Sequence, residues 1–125
     1  MAATARALDQ YRDLDLAARV AAASRGELVA MLCDGLRAAL QAAERAIAQA
    51  QPGPRIRSVT KALAILDGLE ASLDYAAGPV ARTLATLYGE LRALIVAGNA
   101  EARPELLGAA AERARTLGAA WRGIA

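Results

Sequence analysis

A chain of 125 residues and 12.9 kDa has room for one domain that buries about two-thirds of its unfolded surface, and not for two. Half of its 56% hydrophobic residues are alanine, and of the larger apolar side chains 18 are leucine and none is phenylalanine, which favours helices; charge or a breaker interrupts every stretch of about 18 residues, which excludes a bilayer span. Net charge is only +2 and spread along the chain, so an isoelectric point near 9.1 predicts no nucleic-acid surface, while zero histidines and the lone Cys33 exclude His-based catalysis, His-containing metal sites and an internal disulfide.

The first 23 residues read as a leader. Leu8, Tyr11, Leu14, Leu16 and Val20 mix helical and alternating spacing, which predicts a short helix or cap plus a connector. Met1 to Leu8 carries Arg6 and no apolar core segment, so no targeting signal is read and a cytoplasmic location is expected.

Residues 24–125 then divide into four amphipathic segments. Ser24-Arg25-Gly26-Glu27 has the capping-box spacing and starts the first helix. Leu28, Leu32, Leu36, Leu40, Ala43 and Ile47 form its core stripe, widened by Val29 and Cys33, and Gln51-Pro52-Gly53-Pro54 stops it. Asp34 and Arg37, three apart, are expected to pair with each other. Gly35 costs about 1 kcal/mol relative to alanine inside a helix, so it predicts a close approach there, by a helix or by a bound peptide.

The second helix is expected from about Arg55 to Ala76 on Ile56, Val59, Leu63, Leu66, Leu69 and Leu73. Its charges run against the helix dipole, with Arg55, Arg57 and Lys61 at the start and Asp67, Glu70 and Asp74 at the end. Either they form a basic patch for an acidic partner, or neighbouring charges such as Arg82 and Arg92 compensate. Gly78-Pro79 opens the third helix, which carries Val80, Leu84, Leu87, Leu91 and Leu94 with Tyr88 and Ile95 beside them; Gly98-Asn99 is expected to cap it. The fourth starts near Pro104 and carries Leu107, Ala110, Ala114, Leu117, Trp121 and Ile124. The fold class that follows is all-α, an antiparallel up-and-down four-helix bundle with a short N-terminal leader helix or cap.

Five motifs then stand in order: Glu27-Leu28-Val29-Ala30-Met31-Leu32-Cys33-Asp34-Gly35-Leu36-Arg37, Ser72-Leu73-Asp74, Leu87-Tyr88, Ala97-Gly98-Asn99 and Ala120-Trp121. Together they resemble the flagellar secretion chaperone family FliS, from about Tyr11 to Ile124. The departures are Cys33 where the family usually has tyrosine, Arg25-Gly26 in place of a proline and an acid, and a slightly long leader.

The resemblance implies a non-enzymatic cytoplasmic chaperone that binds the disordered C-terminal segment of flagellin. It implies too that the chaperone prevents premature polymerisation and delivers the subunit to a component of the flagellar export gate. It needs no cofactor or metal, binds no nucleic acid and inserts in no membrane. The partner-binding groove it implies draws on Tyr11, Leu28, Met31, Gly35, Tyr88 and Leu91. Tyr11 is read either as a displaceable plug over the groove or as a packing anchor of the leader. Leu32 is assigned to the core and Met31, off the main stripe with a soft side chain, to the contact surface. Tyr88 and Leu91 fit either the groove or the core, and Trp121 is read as a core anchor. The alternative function is a helical-bundle adaptor or regulatory protein that binds another amphipathic segment.

Overall fold

The computed structural model describes residues 25–124. The capping box at Ser24 and the leader, Tyr11 included, lie outside the described residues. Four helices follow: α1 (Arg25–Ala48), α2 (Pro52–Ala71), α3 (Pro79–Ala100) and α4 (Pro104–Ile124), with a short 3-10 turn at Tyr75–Ala77 before α3. They form the all-α up-and-down four-helix bundle that the periodicity predicts. α1 packs most extensively, against α4 and then α2; α3 lies on α4 and, most sparsely, on α2, so α1 and α3 occupy opposite corners.

The helix ends depart from expectation for local reasons. α2 begins three residues early, because Pro52 and Pro54 stand in its first turn, where a missing N–H costs no intrahelical bond. α1 therefore stops in its own turn: the Gln51 N–H donates to the Ala46 carbonyl at 2.9 Å and that of Ala50 to Ile47 at 3.1 Å, with Ala50 left-handed at φ 53°. α3 closes the same way. Arg103 donates to the Gly98 carbonyl at 2.9 Å, and the left-handed residue is Ala102, at φ 50°. Gly98-Asn99 is thus not the cap: Gly98 is buried inside the last turns, and the Asn99 side chain accepts from Arg55 Nε at 2.9 Å. α2 ends at Ala71 rather than Ala76. There the Ser72 hydroxyl donates to the Leu69 carbonyl at 2.8 Å, and the Asp74 carboxylate accepts from the Ala76 N–H at 3.1 Å, diverting the backbone into the 3-10 turn.

The core draws on all four helices. Leu36, Leu40, Leu66, Leu69, Tyr88, Leu91, Ile95 and Leu107 are its large buried side chains, and each fully buried leucine contributes about 1.5–3 kcal/mol relative to exposure. Between them lie buried alanines, Ala30, Ala43, Ala62, Ala110 and Ala114, which let the helix axes come close. Trp121 is half-buried against this core. α1 and α4 approach closely: a Cβ placed on Gly118 would stand 3.1 Å from the Cys33 Cβ.

The reversed charges of α2 find partners across the bundle. Arg92 of α3 reaches Asp67 at 2.6 Å and Glu70 at 3.1 Å, and Arg55 bonds both the side chain and the carbonyl of Asn99. Asp34 pairs with Arg122 of α4 instead of Arg37; the antiparallel turn of α4 brings a guanidinium within reach that the i, i+3 neighbour does not supply.

Candidate partner-binding surface

Leu28, Met31, Leu32 and Gly35 stand at i, i+3, i+4 and i+7 on α1 and therefore share one face. Met31 is 60% exposed and Leu32 39%, while Leu28 and Gly35 are half-buried. Leu32 is thus a correction: it lies outside the core, whose α1 face runs through Val29, Cys33, Leu36 and Leu40. The difference is angular, since those four residues keep one narrow arc against α2 and α4, and Leu32 sits on its shoulder. Gly35 meets a helix, with Ile65 Cδ1 of α2 3.4 Å from the position a Cβ would take. The structure brings three of the predicted contact residues, Leu28, Met31 and Gly35, to one apolar stripe.

Tyr88 and Leu91 do not join it. They are 1% and 2% exposed, on the opposite corner helix, and each borders a recess rather than the surface. Tyr88 lines a cavity of about 120 Å³ at one end of the bundle, with Arg25, Val29, Leu84 and Trp121. Leu91 lies in a groove of about 510 Å³ between α3 and α4, with Leu87, Leu117 and Ala120, whose rim holds the Arg113–Glu90 ion pair at 2.9 Å. That groove is what sequence reasoning missed. Its signal was present in the width of the α3 apolar arc: Leu84, Leu87, Tyr88, Leu91, Leu94 and Ile95 cover more of the helix than two neighbouring seams need.

The chemistry of these surfaces is contact chemistry. Burial, and then the neighbouring Asp34 carboxylate, push the Cys33 thiol up to about 11, against a smaller opposing pull from Arg122, so it stays protonated and unreactive at neutral pH. Burial pushes the Tyr88 hydroxyl up to about 12, with Cys33 adding to it. Among the described residues no three acids or cysteines gather where a metal ion could be held. No helix among them is long and apolar enough to cross a membrane.

The family model "Flagellar protein FliS" matches residues 7–125. The chain belongs to the FliS family. FliS proteins are non-catalytic chaperones, and membership supports a general flagellin-chaperone role with flagellin as partner. No individually curated protein matches the chain.

Proposed function

We propose that this FliS protein works in the cytoplasm, holds the disordered C-terminal segment of flagellin, keeps it from polymerising early and hands it to the flagellar export gate. The observation that carries this reading is the α1 stripe of Leu28, Met31, Leu32 and Gly35. An amphipathic segment that later packs as a helix exposes apolar side chains at i, i+3, i+4 and i+7, and a stripe with the same repeat covers them. Met31 adapts to such a partner because its unbranched, polarizable side chain repacks at little cost. In this reading Tyr11 of the leader acts as a plug that flagellin displaces.

Calorimetric titration of the full chain with a peptide of the last 40 or so flagellin residues tests it, a length that spans an extended interface. One-to-one binding with a large negative heat-capacity change is the expected result, since apolar surface is removed from water. No heat at any temperature, with no change in the exchange of α1 amides, overturns it.

A further inference from the structure

We propose that α3 is the moving wall of the bundle: it opens from its N-terminal end about a pivot at Gly98 and Asn99, with the ion pairs of Arg92 as the latch. The two ends of this helix are built differently. At the C-terminal end a Cβ on Gly98 would stand 2.9 Å from Leu107 Cδ2, so α3 and α4 touch there nearly backbone to side chain. Asn99, the next residue, is held by Arg55 of α2, and the turn that follows is closed by its own backbone hydrogen bonds. That end is fixed to both neighbours.

Among the described residues, the N-terminal end has none of these ties. Its N-cap is Gly78, which supplies no side-chain cap, and its first turn holds no acid, so neither the cap residue nor the first turn offsets the helix dipole there. Val80 is 64% exposed. Thr83 and Thr86 turn their hydroxyls back to the Pro79 and Arg82 carbonyls, a bond that slightly weakens a helix. The connector from Ser72 to Gly78 contains one 3-10 turn, and Gly78 sits at φ 115°, a conformation open to glycine. Space flanks this end on both sides. The 120 Å³ cavity lies beneath Val80, Ala81, Leu84 and Tyr88, and the 510 Å³ groove runs along Leu87 and Leu91.

Between the two ends the α2–α3 seam, the sparsest between neighbouring helices, is bridged by Arg92 to Asp67 and Glu70. These groups reach solvent, so salt screens them and each pair holds weakly. α1, α2 and α4 keep their mutual packing when α3 swings, because α1 contacts both of the others. The opening bares Tyr88 and Leu91, which are closed off in the shut bundle and reach an apolar segment only in the open one. What enters the cleft rests on the chaperone reading above; the opening itself is a property of the free chain.

Native-state hydrogen exchange of the full chain, read by mass spectrometry, tests the proposal. Amides of 82–90 are expected to exchange about tenfold or more faster than those of 94–100 and of the middle turns of α1 and α4, as in a local opening below the global one. Arg92→Gln is expected to speed exchange at 82–90 by about two- to fivefold, the size of an exposed pair, and to leave α1 and α4 unchanged. High salt on the wild type should do the same. Uniform protection along α3, or faster exchange at its C-terminal half, overturns the pivot; an unchanged rate in Arg92→Gln overturns the latch. The flagellin peptide separates the two readings. Peptide binding to a chain whose α3 is uniformly protected keeps the chaperone and removes the moving wall, whereas fast exchange at 82–90 without peptide binding does the reverse.

Discussion

The α1–α4 and α2–α3 seams join helices of similar length and composition, yet one is closed by small residues and the other by charges. Ala30, Cys33, Ala114 and Gly118 are buried where α1 meets α4, and the Asp34–Arg122 pair sits at the exposed edge of a contact already made. Across α2–α3 the named bridges are Arg92 to Asp67 and Glu70, and Arg55 to Asn99. Alanine and glycine therefore draw axes together where both helices supply them, as at α1–α4, whereas the α2–α3 seam is bridged by charged and polar pairs. A bundle with one stiff seam and one soft seam can be stable and still accommodate a partner.

The largest expected effect removes a large side chain from the core. Leu40 is fully buried, and Leu40→Ala is expected to cost about 2–5 kcal/mol through lost transfer energy and the cavity left behind. Urea unfolding of the purified protein measures it. A loss below 1 kcal/mol would mean that the alanine-rich helices collapse into the gap, and the stiffness ascribed to the α1–α4 seam would go with it.

Next in size is a direct wedge in the stiff seam. Gly118→Val places a branched side chain where a single Cβ already stands 3.1 Å from the Cys33 Cβ. The expected loss is about 1–3 kcal/mol from overpacking, partly offset by a better helix propensity than glycine's. The same substitution at Gly68 or Gly89, where an added Cβ meets nothing within 4 Å, should be neutral or slightly stabilising. If all three behave alike, close approach is not what distinguishes the α1–α4 seam.

Alkaline pH probes the same seam without changing its shape. Cys33 ionises near its ordinary value of 9 in the unfolded chain and near 11 in the folded one, so between those values the unfolded state binds fewer protons. Stability is therefore full below about pH 9 and falls as pH rises toward 11, where the folded thiol finally ionises. Tyr88 adds a loss of the same sign between about 10 and 12. Urea midpoints from pH 8 to 11 should decline for the wild type and decline less for Cys33→Ala, which keeps the Cβ and removes the titrating group. Parallel declines would show that Cys33 is not desolvated by the seam.

Much of this was legible in the sequence, and the reasons are specific. Leucine repeats of three and four with proline or glycine between them define four helices, and four matched stripes can satisfy one another only as a bundle. Boundaries were less legible where a backbone signal has two uses. Pro52 and Pro54 both stop α1 and start α2, and Gly98-Asn99 resembles a cap while acting as a packing contact and an arginine acceptor. The exposure of the candidate contact residues was legible in half. Met31 stood off the stripe and is exposed, whereas Leu32 needed the angle between α2 and α4 to be known, and Tyr88 and Leu91 needed the depth of the recesses they line. Pair choice was not legible: Asp34 has Arg37 three residues away in sequence, and its partner Arg122 comes from the far end of the chain.

The smallest stability effect sharpens the contrast between surface and seam. Met31 is exposed, and its removal leaves no cavity and strands no polar group, so Met31→Ser is expected to shift stability by less than about 0.5 kcal/mol. Binding should respond differently. A contact side chain at the centre of an apolar stripe costs more than about 1 kcal/mol when truncated, which is a fivefold or larger weakening of the flagellin peptide in calorimetry. Leu32→Ser tests the neighbouring position on the same stripe, with a somewhat larger stability cost because Leu32 is partly covered. If both variants bind the peptide as the wild type does while remaining folded, the α1 stripe is surface without a partner, and the recesses along α3 become the place to look.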